Sequence, residues 1–219
     1  MNILLNAVEA RVLGALIEKD ITTPDYYPLS LNALVNACNQ KNNREPAMNL
    51  DQDAVAQALT TLQEKRLAGP TSSADSRVTK YVHRLQEVFN FDRRETAVLC
   101  VLMVCGPQTP GELRGRTERM HRFQHLDEVQ STLQRLMQRE PPLVTMLARQ
   151  PGTKESRYAH LLCGEVEDGV VAQAPSAASL SASADDAERV QRLEEEVTDL
   201  RREIADLKQQ FASFRKQFE

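Results

Sequence analysis

Apolar residues recur at helical spacing in two segments of the chain, and the two segments match each other. The first segment begins at Glu9 and the second at Glu95, and an offset of 86 residues superposes Val12 on Val98 and Leu16 on Leu102. Spacings of one and four residues place such positions on one buried face of a helix. We therefore predict that each segment opens with a helix and that the chain contains an internal repeat.

Two further helices are predicted in each repeat. The middle helix is expected over residues 30–40 in the first repeat and from Thr109 onward in the second. Thr109 as N-cap, Pro110 at the first helical position and Glu112 at the third form a start signal. The third helix is expected over residues 53–62 and 127–136, which match at an offset of 74 residues.

Each repeat then closes with two short β-prone runs separated by turn residues. In the first repeat Leu67 leads into the turn residues Gly69 and Pro70, and the second run is residues 78–82. In the second repeat the runs are residues 143–147 and 156–160. Three helices followed by a β-hairpin is the order of a winged helix. We therefore predict a mainly α fold with small β-hairpins (α+β), with tandem winged-helix domains over residues 1–85 and 86–164, each burying its own helical cluster.

The remainder of the chain has a different composition. Residues 165–187 are rich in Ser and Ala and predict a flexible linker. Residues 188–219 carry apolar side chains at alternating spacings of three and four, which predicts a parallel two-stranded coiled coil and a homodimer. A helix that folds back onto its own body would hide the same stripe. The dimerisation candidates are Val190, Leu193, Val197, Leu200, Ile204, Leu207, Phe211 and Phe214.

Composition and charge narrow the protein class. The four cysteines are too few for a disulfide scaffold, and with no signal peptide or long apolar run in the sequence they favour a cytoplasmic protein without a membrane segment. The net charge of −4 comes from the tail, since residues 1–85 are neutral and residues 86–164 carry eleven basic and nine acidic side chains. A body of this charge neither demands nor excludes DNA.

One stretch carries a family resemblance. Residues 10–50 read ARVLGALIEKDITTPDYYPLSLNALVNACNQKNNREPAMNL. This motif closely resembles the YceH family of bacterial proteins, and the similarity extends through the second repeat and the C-terminal helix. The resemblance implies a tandem winged-helix fold, and it supplies no reaction, ligand or catalytic residue to carry over.

Basic side chains form the first set of candidate DNA contacts, since winged helices bind duplex DNA through the third helix and the hairpin. A dense run lies just ahead of the third helix of the second repeat, and further basic residues lie in the two hairpins. Such residues are equally common on ordinary solvated surface. The candidates are Arg114, Arg116, Arg119, Arg122, Arg77, Lys80, Arg149, Lys154 and Arg157.

A second candidate is a polar patch near the middle helix of the first repeat. Four asparagines recur at helical spacing, so a continuous helix would place them on one face, with an arginine following. Asparagine can read adenine edges, but amides near a helix end more often cap backbone groups. The patch consists of Asn32, Asn36, Asn39, Asn43 and Arg44.

Other functions find less support in the sequence. Cys100, Cys105, His121 and His125 loosely fit the spacing of a zinc site, but Cys100 lies within an apolar helix, so no metal or other cofactor is expected. Motifs for a phosphate-binding loop or a nucleophile elbow are absent from the sequence, and we expect no enzyme. Acidic residues begin both third helices and would repel phosphates.

The sequence therefore predicts a non-enzymatic, DNA-associated or transcription-regulatory protein that is dimerised by its C-terminal helix. Double-stranded DNA is the expected partner. The alternative is a protein–protein adaptor that uses degenerate winged helices and binds another protein without DNA.

Overall fold

The structure is a computed structural model, and it describes residues 3–71, 78–149 and 155–164. Its described part is a mixed α+β fold with seven α-helices and two small antiparallel sheets. The predicted linker (165–187) and coiled coil (188–219) lie outside the described residues, as do two of the candidate DNA contacts, Arg77 and Lys154.

The first half of the fold contains four helices and a three-stranded sheet. Its elements are α1 (Ala7–Thr22), a 3-10 turn (Pro24–Tyr26), β1 (Leu29–Ser30), α2 (Leu31–Cys38), α3 (Gln52–Glu64), β2 (Ala68–Thr71), β3 (Lys80–His83) and α4 (Leu85–Val88). Strand β3 lies between β1 and β2 and pairs with both in antiparallel fashion. The predicted hairpin is confirmed, but Gly69 and Pro70, which were predicted as turn residues, lie within β2. Strand β1, the 3-10 turn and α4 were not predicted.

The second half contains three helices and a two-stranded sheet. Its elements are α5 (Arg93–Cys105), α6 (Pro110–Arg116), α7 (Leu126–Met137), β4 (Val144–Met146) and β5 (Tyr158–His160). Gln108 forms an isolated antiparallel bridge with Tyr158, and Leu29 pairs in the same way with Tyr81 in the first half. Thus the order of three helices and a hairpin occurs twice in the described residues, with a short third strand position ahead of α2 and α6.

The opening helices of both halves begin with the same local contacts. Asn6 caps α1 and Asp92 caps α5, and each forms a capping box with the glutamate three residues later, Glu9 or Glu95. In each half this glutamate also pairs with a basic residue that follows the third helix. The distances are 2.6 Å between Glu9 Oε2 and Lys65 Nζ, and 3.0 Å between Glu95 Oε2 and Arg139 Nη2.

The hydrophobic core runs through both halves. Helix α1 packs against α2 and α3, α5 packs against α6 and α7, and α1 and α5 pack against each other. All residues from Glu9 to Ile17 and from Glu95 to Cys105 are buried. A helix that is buried on all sides lies inside a core rather than at its edge. This corrects the expectation that each repeat buries a separate cluster, because the opening helices form one shared centre.

Gly14 makes the close approach of α1 and α5 possible. A Cβ atom at this position would lie 2.7 Å from Val104 Cγ1, closer than side chains pack, and 3.2 Å from Met103 Cβ, which is a tight contact. The Cys100 thiol donates a hydrogen bond of 3.3 Å to the Gly14 carbonyl oxygen. Glycine therefore fits at this crossing without displacing Val104 or Met103.

The insert at residues 41–50 spans the boundary between the halves. The Glu45 backbone N–H donates to the Val104 carbonyl oxygen at 2.9 Å, and the Cys105 thiol donates to the Asn43 carbonyl oxygen at 3.3 Å. Inside the first half, the buried Arg44 side chain donates to the Ala37 carbonyl oxygen. The insert is thus fixed at one side to the first half and at the other to α5.

Candidate functional site

Helix α6 and the loop after it present four arginines to solvent. The helix begins as predicted: Thr109 Oγ1 accepts from the Glu112 backbone N–H at 3.2 Å, and Glu112 Oε2 accepts from the Thr109 backbone N–H at 2.8 Å. The chain beyond α6 is anchored by Thr117 and Met120, which are buried. The exposed side chains between and around these anchors are Arg114, Arg116, Arg119 and Arg122.

The contacts of these arginines leave most of their N–H donors available. Arg114 Nη2 donates to the Gln124 carbonyl oxygen at 3.0 Å. Arg122 Nε lies 3.8 Å from Glu118 Oε1, but both side chains are more than half exposed, so this pair contributes little to stability. Within the described part of the chain, Arg119 forms no hydrogen bond or ion pair. The segment is therefore a basic surface rather than a set of internal salt bridges.

The insert of the first half meets this basic surface. Arg116 Nη1 donates to Asn43 Oδ1 at 3.1 Å and lies 3.7 Å from Cys105 Sγ. Asn43 has a φ of 57°, a left-handed conformation that asparagine adopts more readily than most residues. Asn43 and Arg116 were predicted in two separate patches, and the structure brings them into one.

The polar patch is otherwise divided. Helix α2 ends at Cys38, so only Asn32 and Asn36 lie on it, and both are exposed. This corrects the expectation of four amides on one helical face. Asn39 instead holds the insert, since its side chain exchanges two hydrogen bonds of 2.7 and 2.8 Å with the backbone of Leu50.

Arg44 has an internal role. Its side chain is fully buried, and its guanidinium forms a two-pronged contact with the Glu18 carboxylate at 2.5 and 3.3 Å. Arg11 is buried nearby and donates to the carbonyl oxygens of Cys38 and Pro46 at 3.2 and 2.7 Å. Burial, together with the positive charge of Arg44, lowers the pKa of Arg11. These two arginines therefore support the fold and do not reach the surface.

The hairpin residues are placed at different distances from α6. Arg157 Nη2 lies 3.7 Å from Glu112 Oε1, so the start of β5 lies beside the start of α6. Arg149 is exposed beyond β4, and Lys80 is partly exposed in β3. Of the three hairpin residues that the structure describes, the Glu112 contact thus brings Arg157 next to the basic segment.

The third helices carry acidic first turns, as the sequence indicated. The Asp51 carboxylate caps α3 by accepting from the Ala54 backbone N–H at 2.8 Å, and Asp53 and Asp127 are exposed. The exposed faces farther along α3 and α7 are mostly polar and uncharged, and the charged exceptions are Glu64 at the end of α3 and Arg135, which pairs with Asp92 at 3.0 Å. The uncharged polar residues on these faces are Gln57, Thr60, Gln63, Gln130, Ser131 and Gln134.

The cysteines do not form a reactive centre in the described residues. Burial raises the pKa of Cys38 to about 12 and raises the pKa of Cys100 well above its ordinary value, so both thiols stay protonated at neutral pH. No group of three or more His, Cys, Asp or Glu side chains in the described ranges is arranged to hold a metal ion.

Comparison with known proteins assigns the chain to a family. A family model described as "Protein of unknown function, DUF480" matches residues 5–153. The chain belongs to the DUF480 family. Its match includes α1 to α7 and the first strand of the second hairpin, and therefore both the insert and the basic segment. The narrower resemblance to YceH stays a prediction.

Several bacterial relatives of this DUF480 chain are similar over most of their length, and each is named a UPF0502 protein. The relative from Koribacter versatilis is 60% identical over 162 residues, covering 74% of this chain and 75% of its own. The relative from Solibacter usitatus is 55% identical over 195 residues, covering 89% and 92%. The relative from Vibrio campbellii is 47% identical over 202 residues, covering 90% and 91%.

A helix that crosses a membrane must be both long and apolar. Among the helices in the described residues, none combines the length and the apolar character that crossing a bilayer requires.

Proposed function

We propose that this protein is a non-enzymatic, tandem winged-helix protein that binds duplex DNA. The observation that carries the proposal is the exposed basic segment from Arg114 to Arg122, which lies directly ahead of α7. In helix-turn-helix proteins the region ahead of the third helix lies against the DNA backbone. Arginines in this position contact phosphates and set the orientation of the protein on the duplex.

The order of elements supports the winged-helix assignment. In the first half, β1 precedes α2, and β2 and β3 follow α3 with β3 in the centre of the sheet. The second half repeats this order, with the Gln108–Tyr158 bridge in place of β1. This is the arrangement in which a third helix and a hairpin lie side by side to contact DNA.

The acidic starts of α3 and α7 favour a binding mode dominated by the backbone. Exposed carboxylates such as Asp53 and Asp127 repel nearby phosphates, so we do not expect these first turns to enter the major groove. Arg157, next to α6, adds a hairpin contact to the basic segment. Binding of this kind is sensitive to salt and weakly selective for sequence.

Pairing of two chains through residues 188–219 would compensate for weak contacts. Two linked sites bind the same duplex with a raised effective concentration.

We expect that changing Leu200 and Leu207 to Asp converts a dimer to a monomer in light scattering. An unchanged mass would show that the C-terminal heptads are not the interface.

A cytoplasmic location fits DNA binding and the free thiols of Cys38, Cys100, Cys105 and Cys163.

A salt titration of DNA binding tests the proposal. We expect the full-length protein to retard a duplex in an electrophoretic mobility assay at low salt, with affinity falling steeply as salt rises. Changing Arg119 and Arg122 to Gln should reduce the slope of log K against log salt by about 1 for each phosphate that is no longer neutralised. Changing Arg93 and Arg94 to Gln removes the same two charges from exposed positions on α5 and should leave the slope unchanged.

The alternative is an adaptor that binds another protein. The acidic first turns of α3 and α7 and the exposed Met146, with 52% of its surface accessible, favour it. The absence of any retarded complex at low salt, with several duplexes, would contradict DNA binding and leave the adaptor as the better explanation.

A further inference from the structure

The basic segment contains a groove that is lined by other residues as well as by arginines. One wall is the exposed side of α6, and the other is the loop after it. The groove has a volume of about 330 Å³. It is lined by Gly111, Arg114, Gly115, Glu118, Arg122 and Phe123, which we call the α6 groove.

The walls of the α6 groove are held in place by internal contacts. Arg114 is fixed across the loop by its hydrogen bond to the Gln124 carbonyl oxygen. Phe123 is buried, and the His121 ring packs edge-on against it with the ring centroids 4.7 Å apart. Two of the lining residues, Arg114 and Phe123, are therefore held in place by contacts inside the described chain.

The charges around the groove favour an anion. Arg114 from α6 and Arg122 from the following loop both line the groove, and each guanidinium carries N–H donors in a geometry that suits phosphate oxygens. Among the lining residues Glu118 is the single carboxylate, and its nearest partner is Arg122 at 3.8 Å. The lining thus carries two positive charges and one negative charge.

The two glycines of the groove provide a second observation, which concerns the space available to a ligand. Glycine inside a helix costs about 1 kcal/mol relative to alanine. A Cβ at Gly115 would meet no atom of the described chain within 4 Å, and one at Gly111 would meet only Thr109 Oγ1, at 4.0 Å. Packing inside the described chain therefore does not require glycine at either position, and the absence of side chains there leaves the α6 backbone open to close approach.

We propose that the α6 groove binds a phosphate group of a nucleic-acid backbone, with Arg114 and Arg122 as its ligands and the glycines allowing close approach. This inference rests on the proposed DNA binding and assigns it a contact point. The volume, at the low end of the roughly 300–1,000 Å³ typical of ligand sites, fits a phosphate with its attached sugar.

Two substitutions separate this role from a structural one. Gly115→Leu fills the groove and replaces glycine with a strong helix former, so duplex affinity should fall at least about tenfold while the melting temperature stays equal or rises. Glu118→Gln removes the carboxylate and should raise duplex affinity by about fivefold, the effect of one unit charge about 4 Å from a phosphate in water. Ala7→Leu adds an exposed leucine to α1, outside the groove, and serves as the matched control.

A second measurement uses inorganic phosphate as the probe. Titration of the full chain with phosphate, against chloride at equal ionic strength, should shift the backbone amide resonances of residues 111–124 in a saturable way. Arg114→Gln should remove this response. The measurement tests the groove independently of duplex DNA.

The outcomes distinguish the groove from the proposed function. If the wild type binds duplex DNA but Gly115→Leu and Glu118→Gln bind within twofold of it, the groove proposal is wrong and DNA binding stands. If phosphate shifts the groove resonances but no duplex binds, the groove recognises phosphate on a free ligand and the proposed function is wrong. If neither phosphate nor DNA acts on wild-type residues 111–124, the groove proposal is overturned.

Discussion

The residue type at the crossing of α1 and α5 determines whether these two helices can pack closely against each other. Gly14 lies where a Cβ atom would be 2.7 Å from Val104 Cγ1, whereas Gly115 in α6 faces open space. The same residue type is therefore required by internal packing at one position and not at the other.

This contrast gives a prediction for the two glycines. Gly14→Val should lower the free energy of unfolding by about 2 kcal/mol or more, because overpacking a dense core typically costs about 1–3 kcal/mol. Gly115→Val introduces the same side chain without a clash and should leave stability close to that of the wild type. Urea denaturation of both variants measures the difference, and equal stabilities would contradict the tight crossing.

His160 gives a second prediction, for the effect of pH. Its Nδ1 atom is shielded from solvent without a hydrogen-bond partner in the described residues, and burial lowers the pKa of His160 from 6.5 to about 4. Between pH 4 and pH 6.5 the His160 ring is protonated in the unfolded chain but stays neutral in the folded chain. Stability is therefore complete above about pH 6.5 and falls as the pH drops toward 4, by about 3 kcal/mol from this group.

The change His160→Leu tests this assignment. The variant should have a flatter profile of unfolding free energy between pH 6.5 and 4 than the wild type, because the titrating ring is gone. Guanidinium denaturation at several pH values in this window gives the two profiles. Parallel profiles would show that His160 does not titrate differently in the folded state.

Among the elements, the insert at residues 41–50 joins the two halves in addition to the packing of α1 against α5. Its backbone bonds to Val104, its Asn43 side chain contacts Arg116, and its Arg44 side chain is buried against Glu18. Because the first repeat carries these residues between its second and third helices and the second repeat does not, the joint between the halves is asymmetric.

Breaking the ion pair of the insert should be costly. Arg44→Met keeps most of the side-chain volume but leaves the Glu18 carboxylate, 18% exposed, with Lys19 Nζ at 3.7 Å as its remaining cation. Loss of one partner of a buried pair costs about 3–5 kcal/mol, and we expect the lower end because Glu18 has some access to water. The double variant with Glu18→Leu should recover part of this loss in chemical denaturation, and a cost below about 1 kcal/mol for Arg44→Met would contradict the role of the pair.

The helices were predictable because their ends are encoded locally. The cap at Thr109 with Pro110 and Glu112 was recognised from three residue types at fixed spacing, and the structure confirms it. Strand β1 has two residues and α4 has four, so neither produces a period that a sequence pattern can reveal. Their positions depend on pairing with β3 and on packing against the core.

The candidate site was predictable only in part, for a similar reason. The density of arginine in residues 114–122 is visible in the sequence, but the contact between Asn43 and Arg116 joins residues 73 positions apart. The all-round burial of α5 had a signal, the unbroken apolar run from Ala97 to Cys105. A one-sided helix would alternate with polar residues, so this run indicates burial against a second partner, which is α1.

At the scale of the whole described molecule, the shared core makes the two halves one folding unit. The buried cluster includes residues of both opening helices, and the Leu5 backbone N–H donates to the Leu162 carbonyl oxygen at 2.7 Å. The start of the first half is thus bound to the end of the second. Separating the halves would expose apolar faces on both α1 and α5.

We therefore expect one cooperative unfolding transition for residues 3–164. Val104→Ala weakens the packing at the crossing and should lower hydrogen-exchange protection in α3 and α7 by similar factors, although it lies in neither helix. A fragment of residues 1–85 should lack stable structure in circular dichroism. Two separate calorimetric transitions, or a stable fragment, would show that the halves fold independently.

The crossing at Gly14 also restricts how the sequence can change over time. Any residue larger than glycine at position 14 needs the space that Val104 and Met103 occupy. Within related chains, a larger residue at 14 should therefore occur together with a smaller one at 104, while either change by itself is selected against. We therefore expect the two halves of the chain to change together at these positions.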